Sequence, residues 1–177
     1  IFDNFDRIYV SFSGGKDSTV MTHLVLEEAI KRKRKVGLLI IDLEAQYTAT
    51  IEHIEEMAEK YKDNIELHWF CGEILLRNAV SDYEPKWVCC DESKNDIWVR
   101  KKPLLEADLS QYAFYVPKKE FEELMVLFGE WYAQGENCAA FIGIRSDESL
   151  HRYRAITSLK KGLMFNDRKW TTKIKKN

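Results

Sequence analysis

Ser11-Phe12-Ser13-Gly14-Gly15-Lys16-Asp17-Ser18 lies between a predicted strand and a predicted helix. Residues 7–12 are a short β-branched and aromatic run, which is typical of a buried strand. Residues 17–32 show helical spacing of apolar side chains. Their predicted inner face comprises Val20, Met21, Leu24, Val25 and Ala29. Gly14 and Gly15 lack a Cβ atom, so the backbone between these elements can turn sharply and approach a ligand closely.

The composition of this turn suits a phosphate group. Successive N–H groups of such a turn can form a concave anion site, and the following helix adds unpaired N–H groups and a partial positive charge. Ser11, Ser13 and Ser18 offer hydroxyl groups, and Lys16 adds a full positive charge. Because the glycines are adjacent and Asp17 follows the lysine, the turn differs from the Walker A pattern. We therefore predict a phosphate-binding loop of another kind.

Alternating strands and helices continue along the chain. Apolar runs predict three more buried strands, at residues 36–41, 65–70 and 138–144. Helical periodicity covers three more segments, at residues 47–61, 117–133 and 146–158. Ser146 is the expected N-cap of the last helix. This alternation predicts an α/β fold with a mostly parallel sheet and helices on both faces.

Two segments depart from the alternation. Residues 71–116 hold aromatic and charged side chains without a sustained period, which predicts a long irregular insertion. Residues 160–177 carry seven basic and one acidic side chain and are expected to form a hairpin around Asn166-Asp167. We therefore predict one domain over residues 1–159 and a basic C-terminal segment. The chain starts without Met and is expected to be a piece of a longer protein.

Three polar segments are expected to meet at one edge of the sheet. Residues 13–18, 42–46 and 143–149 each follow a predicted strand. In parallel α/β sheets, ligands bind beyond the carboxyl ends of the strands. The sequence therefore predicts a site made from three distant parts of the chain.

Two of these segments resemble known motifs. The loop of residues 11–18 resembles the PP-loop of the ATP pyrophosphatase superfamily. Gly143-Ile144-Arg145-Ser146-Asp147-Glu148-Ser149 resembles the G-x-R-x-x-E-S signature of the phosphoadenosine phosphosulfate (PAPS) reductase branch. The resemblance covers about residues 7–158 and implies a Rossmann-like adenine nucleotide α-hydrolase fold. Residues 41–47, together with the insertion from 89 to 103, resemble a subgroup of immunoglobulin-binding regulators.

The resemblance and the residue chemistry together give a set of expected site residues. Nucleotide binding is assigned to Ser11, Ser13, Gly14, Gly15, Lys16, Asp17, Ser18, Asp42, Gly143 and Arg145. Lys16, Asp17 and Arg145 are the expected catalytic residues. Arg145 can direct two donors onto a phosphate or sulfate. Asp17 and Asp42 are expected Mg²⁺ ligands, and Glu44 and Gln46 are expected to contact a second substrate.

Three functions stay open at the level of sequence. The first is transfer of AMP from ATP to a substrate, with release of pyrophosphate. The second is a catalytically silent nucleotide-binding module that acts with a partner protein or DNA. The third is a sulfonucleotide reductase acting on PAPS, although the Glu-Cys-Gly-Leu-His segment of those enzymes is missing and would have to come from residues outside this chain. Four histidines offer no evident general base, since we expect His23, His53, His68 and His151 to be structural or exposed.

Composition restricts the setting and the partners. The net charge of -2 argues against a generally basic nucleic-acid binder, and only residues 160–177 offer a basic surface, for which a solvated segment is the favoured interpretation. The four cysteines form no C-x-x-C pair and match no common zinc spacing. We therefore expect reduced thiols in a cytoplasmic protein. No apolar run predicts a membrane span.

Overall fold

The computed structural model describes residues 1–145 and 147–157. They fall into two units, Ile1–Ile142 and the part of Gly143–Asn177 that is described. The helices and strands, in chain order, are β1 (Arg7–Ser11), α1 (Lys16–Lys31), β2 (Val36–Ile41), α2 (Thr48–Lys60), β3 (Ile65–Phe70), β4 (Ile74–Arg77), β5 (Lys86–Cys89), β6 (Lys119–Glu120), α3 (Phe121–Ala133), β7 (Cys138–Ile142) and α4 (Leu150–Thr157).

A four-stranded parallel sheet with the order β3-β2-β1-β7 forms the centre of the first unit. Strand β1 pairs with β2 through Tyr9 and Gly37, and with β7 from Arg7–Cys138 to Ser11–Ile142. Strand β2 pairs with β3 along its whole length. The carboxyl ends of all four strands therefore lie at one edge, and the predicted parallel α/β fold is confirmed.

Helices cover both faces of this sheet. Alternate residues of β1 and β2, such as Val10 and Leu38, pack in one apolar cluster with α1 and α2. Their neighbours Tyr9 and Leu39 point to the opposite face and pack against Phe128 of α3. Because side chains alternate across a strand, a strand covered on both faces is apolar at nearly every position. The continuous apolar runs of the sequence have this origin.

Helix α1 buries a different face from the predicted one. Its buried residues are Ser18, Thr22, Val25, Leu26 and Ala29. Val20 and Leu24 are exposed to 60% and 63%, so their assignment to the inner face was wrong. Thr22 tolerates full burial because its hydroxyl donates to the carbonyl of Ser18 at 2.7 Å. The spacing of apolar residues predicted the wrong buried face of α1, because Ser18 and Thr22 occupy positions in the core.

The predicted insertion supplies two of the three strands of a second, smaller sheet. Its strand order is β5-β4-β6, with β4 antiparallel to β5 and parallel to β6. Strand β6 occupies the first part of the segment predicted as helix, and α3 starts only at Phe121. Two short 3-10 helices, Glu92–Ile97 and Leu109–Gln111, account for further regular structure. The rest of the insertion is irregular, as its lack of periodicity predicted.

The described part of the second unit begins after β7 and includes α4. Ser149 caps this helix, since its hydroxyl oxygen accepts from the N–H of Arg152 at 3.1 Å. Asp147 and Glu148 therefore precede α4, although both lie within the predicted helical segment 146–158. Ser146 and the predicted hairpin over residues 159–177 lie outside the described residues. The predicted domain boundary at residue 159 stays a prediction.

No helix in the described part of the chain is both long enough and apolar enough to cross a membrane.

Tyr132 ties α3 to the centre of the sheet. Its ring stacks on Phe128 at 5.7 Å, and its hydroxyl lies 3.1 Å from both the carbonyl oxygen of Ile8 and Oε2 of Glu66. Burial, followed by the nearby Glu66 carboxylate, raises the pKa of Tyr132, so the hydroxyl stays protonated and acts as a donor.

We expect Tyr132→Phe to lower the free energy of unfolding by about 1–2 kcal/mol, because the stacked ring is kept while buried acceptors lose their donor. Urea unfolding monitored by circular dichroism measures this loss. Tyr47→Phe is the matched control, since Tyr47 is 86% exposed, and its effect should stay below about 0.5 kcal/mol. Equal losses in both variants would contradict the assigned role of Tyr132.

Candidate functional site

Gly14 is held in a conformation that other residues rarely adopt. Its φ is +74°, in the left-handed region. A Cβ atom at this position would also lie 2.7 Å from Thr50 Cγ2 and 3.0 Å from Ile54 Cγ1. The turn after β1 therefore packs directly on α2. Glycine is required here on two independent grounds, conformation and space.

Gly15 has a different role. It is the N-cap of α1 with φ -76° and ψ 160°, and a Cβ atom there would meet Ser13 Oγ only at 3.5 Å. Among the described residues, no side chain caps this end of α1 with a hydrogen bond. The first N–H groups of a helix lack acceptors within the helix itself. The start of α1 therefore leaves backbone N–H donors beside the loop.

Hydroxyl groups hold the loop from within. Ser18 is buried and donates to the carbonyl oxygen of Gly15 at 2.9 Å, while its own oxygen lies 3.0 Å from Ser13 Oγ. Thr19 donates to the same carbonyl at 2.9 Å and lies 3.0 Å from His53 Nε2 on α2. The hydroxyls of Ser13 and Ser18, which the sequence predicted as ligand contacts, therefore form hydrogen bonds within the loop. Ser11 is the last residue of β1 and pairs within the sheet.

The charged residues of the loop are accessible. The side chain of Lys16 is 78% exposed, and its ammonium lies 3.4 Å from Asp17 Oδ1. Asp17 is less open, with 32% of its side chain exposed. The loop therefore combines backbone donors, one exposed cation and one carboxylate at an open edge of the sheet. This combination suits a phosphate and, through Asp17, an oxygen-seeking cation such as Mg²⁺.

Asp42, at the end of β2, is fully buried and already has several donors. Arg100 Nη2 contacts both carboxylate oxygens, Oδ1 at 2.5 Å. The N–H of Glu44 donates to Oδ1 at 2.8 Å, and Trp69 Nε1 donates to Oδ2 at 3.2 Å. Direct Mg²⁺ ligation by Asp42 would require breaking this ion pair. The arrangement instead holds the loop after β2, the strand β3 and the insertion together.

Glu44 and Gln46, expected to contact a substrate, make contacts inside the protein. Glu44 has a left-handed φ of 61°, and its Oε2 accepts from the N–H of Cys90 at 2.8 Å. Gln46 Oε1 accepts from the N–H of Leu43 at 3.2 Å. Both side chains therefore fix the loop after β2, and Glu44 also fixes the insertion. Contact with a second substrate stays a prediction.

Three buried thiols lie beside Asp42. Cys90 Sγ is 3.8 Å from both Cys71 Sγ and Cys89 Sγ, and Cys89 Sγ is 3.9 Å from the carbonyl oxygen of Asp42. Hydrogen bonding with Cys90 and burial raise the pKa of Cys71. The contact with Cys71 lowers the pKa of Cys90, but the contact with Cys89 and burial raise it by more. All three are free thiols, as expected from the sequence.

A cavity of about 360 Å³ opens past the end of β3. It is lined by Cys71, Lys102, Glu106, Ala107, Asp108 and Leu109. These residues come from the insertion and from the end of β3, whereas the phosphate loop follows β1. Because β1 and β3 run parallel in one sheet, the cavity and the loop belong to the same edge. That edge is where parallel α/β proteins bind ligands.

The third predicted segment belongs to the second unit. There the backbone N–H of Arg145 donates to Glu148 Oε2 at 3.2 Å, and Arg145 Nε lies 3.2 Å from Asp147 Oδ1. The side chain of Arg145 is 49% exposed. Glu148 also pairs with Arg152. Gly143 precedes this turn, and the predicted role of Gly143 and Arg145 at the phosphates stays a prediction.

Several residues around this edge were not predicted from the sequence. Arg100 was visible only as part of a charged run in the insertion. Trp69 belongs to an apolar strand, and its indole N–H gave no separate signal. His53, expected to be structural or exposed, contacts the first turn of α1 through Thr19. Each of these depends on contacts between distant segments, which spacing along the chain does not reveal.

The family of the chain follows from these features and from its sequence matches. Residues 7–164 match the phosphoadenosine phosphosulfate reductase domain family. The chain therefore belongs to this family, in agreement with the parallel sheet and the loop after β1. Membership supports a nucleotide-binding function at the level of the family.

The chain is also similar in sequence to one named protein. The uncharacterized protein YbdN of Escherichia coli (strain K12) is 40% identical over 168 residues, which cover 94% of this chain and 41% of YbdN. The chain thus spans about two fifths of the length of this relative. No solved structure matches the chain.

We expect Gly14→Ala to lower the free energy of unfolding by at least about 2 kcal/mol, because it adds left-handed strain and a contact with α2. Gly15→Ala is the matched control and should cost less than about 1 kcal/mol, since Gly15 is extended and its surroundings are open. Urea unfolding of both variants checks this difference. A Gly14 variant as stable as the Gly15 variant would contradict the described turn.

We expect Asp42→Asn to lower the free energy of unfolding by about 3–5 kcal/mol, because it leaves the guanidinium of Arg100 buried without its partner. The double variant Asp42→Asn/Arg100→Met should recover part of this loss, since no uncompensated charge remains. Glu27→Gln breaks an exposed pair with Lys31 and should cost much less, because solvent screens the charges of that pair. A loss for Asp42→Asn no larger than that of Glu27→Gln would exclude a buried ion pair.

Proposed function

We propose that this chain binds the phosphates of an adenine nucleotide, ATP or PAPS, in the loop of residues 13–18. The observation that carries the proposal is the geometry of this loop. A left-handed Gly14 turns the chain at the end of β1, and Lys16 is exposed beside the start of α1, which no side chain of the described residues caps. Backbone donors and a cation at one point favour an anion. Membership in the family supports a nucleotide as the molecule whose phosphates bind there.

Individual residues take distinct roles in this proposal. Lys16 pairs with a phosphate, and Gly14 and Gly15 allow the backbone to approach it. Gly143 and Arg145 supply the second anion contact, with the guanidinium directed at a phosphate or sulfate. Asp17 is the Mg²⁺ ligand of the loop, since carboxylate and phosphate oxygens are the ligands Mg²⁺ prefers. Asp42 supports the edge of the sheet through its pair with Arg100.

The reaction we propose for this chain is adenylation. An oxygen of the second substrate attacks the α phosphorus of ATP, the bond from that phosphorus to the bridging oxygen breaks, and pyrophosphate leaves with the bonding electrons. AMP remains on the substrate. Such a reaction depends mainly on positioning and on neutralising phosphate charge. Lys16 and Arg145 supply positive charge that offsets the phosphate charge, and Mg²⁺, when bound, would offset more of it.

The cysteines favour adenylation over sulfonucleotide reduction within the described residues. A nucleophilic cysteine needs an accessible thiolate in electropositive surroundings. Cys71, Cys89 and Cys90 are buried, and burial raises the pKa of the Cys138 thiol. None of these thiols is suited to attack sulfur. The second substrate is assigned to the cavity past β3, where Lys102 and Glu106 offer groups of both signs.

We expect Lys16→Ala and Arg145→Ala each to weaken nucleotide binding by about tenfold or more, because each removes a charge-assisted contact with a phosphate. Calorimetric titration with ATP and with PAPS, in the presence of Mg²⁺, measures both affinities. Lys31→Ala is the matched control, since this exposed lysine lies in the last turn of the same helix.

Turnover is measured separately by exchange of labelled pyrophosphate into ATP in the presence of Mg²⁺. Exchange in the parent protein and its loss in Lys16→Ala support adenylation. Tight binding without exchange across a panel of candidate substrates would instead indicate a regulatory module. Unchanged affinity in both the Lys16 and Arg145 variants would exclude the proposed site.

A further inference from the structure

His53 of α2 contacts the residues on either side of the phosphate loop. Its Nε2 atom lies 3.0 Å from Thr19 Oγ1, and its ring meets the ring of Phe12 edge to face, with the centroids 6.0 Å apart. Phe12 precedes the loop of residues 13–18, and Thr19 follows it in the first turn of α1. His53 has no role in the phosphate binding described above.

Two neighbours of His53 on α2 also support the loop. A Cβ atom at Gly14 would lie 2.7 Å from Thr50 Cγ2 and 3.0 Å from Ile54 Cγ1, so both side chains pack under this turn. Residues three and four positions apart share one face of a helix. Thr50, His53 and Ile54 therefore form one row along α2. The contacts at Gly14 are apolar, whereas His53 adds a directional hydrogen bond.

The hydrogen bonds of Thr19 decide which nitrogen of His53 carries the proton. The Thr19 hydroxyl donates to the carbonyl oxygen of Gly15 at 2.9 Å. Because a hydroxyl group has a single hydrogen, Thr19 Oγ1 must be the acceptor in its contact with His53. His53 therefore donates through Nε2–H, and Nδ1 is the nitrogen without a proton in the neutral ring.

These contacts converge on the carbonyl group of Gly15. Its oxygen accepts from the Ser18 hydroxyl, the Thr19 hydroxyl and the Thr19 N–H, each at 2.9 Å. In a planar trans peptide, the C=O and the N–H of the next residue point in opposite directions. Fixing the Gly15 carbonyl therefore fixes the direction of the Lys16 N–H. Lys16 is the first residue of α1, and the first N–H groups of a helix have no acceptor within it.

His53 strengthens this arrangement through the Thr19 hydroxyl. A hydroxyl that accepts a hydrogen bond becomes a stronger donor, because successive hydrogen bonds polarise one another. The donor from α2 also restricts rotation of the Thr19 hydroxyl, which keeps its hydrogen on the Gly15 carbonyl. The position of α2 is thereby transmitted to the backbone donors at the start of α1.

We propose that His53 is a positioning residue of the phosphate loop. Its Nε2–H holds the Thr19 hydroxyl on the Gly15 carbonyl, and the fixed peptide group directs the Lys16 N–H at a bound phosphate. His53 acts through Thr19 and makes no contact with the phosphate itself. This role rests on the proposed function of the loop and extends it to a residue of the neighbouring helix.

Two variants separate the donor of His53 from the packing of its ring. His53→Phe keeps an aromatic ring beside Phe12 but removes the donor, whereas His53→Gln places an amide N–H near the position of Nε2. Calorimetric titration uses ATP or PAPS, whichever the parent protein binds more tightly, in the presence of Mg²⁺. We expect His53→Phe to weaken binding about fivefold and His53→Gln to stay within about twofold of the parent.

His23→Phe is the matched control for this comparison. His23 Nδ1 lies 2.9 Å from the hydroxyl of Tyr61, so this histidine also joins α1 to the end of α2, one turn further from the loop. We expect nucleotide affinity within about twofold of the parent in His23→Phe. Urea unfolding of both Phe variants should show similar losses of stability, which leaves the difference in affinity to the loop.

Nitrogen-15 NMR tests the same contact in the nucleotide-free protein. We expect a neutral His53 ring with the proton on Nε2, protected from exchange with solvent by its bond to Thr19. The residual dipolar coupling of the Lys16 N–H measures the direction of that bond. It should change in His53→Phe and keep its parent value in His53→Gln and in His23→Phe.

Four results would overturn the proposal. They are a neutral His53 ring protonated at Nδ1, an unchanged direction of the Lys16 N–H in His53→Phe, unchanged nucleotide affinity in that variant, and equal losses of affinity in His53→Phe and His53→Gln. A parent protein that binds neither ATP nor PAPS would refute the proposed function instead. The two NMR measurements use no nucleotide and decide the role of His53 in that case as well.

Discussion

The edge of the sheet that carries the candidate site depends on the hydrogen bonds and the ion pair of the buried Asp42 carboxylate. Asp42 lies at the end of a central strand and joins Arg100 of the insertion, Trp69 of the next strand and the backbone after β2. A carboxylate without water costs several kcal/mol unless donors surround it. Here the donors come from three separate segments, so satisfying one charge also fixes the position of the insertion on the sheet.

The phosphate loop is built largely by local interactions. Gly14 turns the chain against α2, and the hydroxyls of Ser18 and Thr19 bind the carbonyl of Gly15. The two hydroxyl contacts join residues near in sequence, whereas the contact of Gly14 with Thr50 and Ile54 joins the loop to a distant helix. The insertion differs, because its charged and thiol side chains meet partners many residues away.

The sequence predicted the regular elements of the core and missed those of the insertion. Strands β1, β2 and β3 are covered on both faces, so their apolar runs are continuous and easily recognised. The four-residue strands β4 and β5 are only partly buried, and their apolar residues follow no clear period. On α1, the hydroxyls of Ser18 and Thr22 occupy buried positions that an apolar pattern assigns elsewhere. Ser149 was identified as the cap of α4 only by its hydrogen bond.

By itself the sequence determined the strand–turn–helix loop, the parallel α/β fold and the family, because each is encoded by contiguous residues whose spacing carries the signal. Only the tertiary structure decided what Asp42 and the cysteines contact. Cys71 and Cys90 match no metal-ligand spacing along the chain, yet their sulfurs lie 3.8 Å apart. The reason is that a parallel sheet brings the ends of strands that are distant in sequence to one edge. Separation along the chain does not reveal which of these residues lie close together in space.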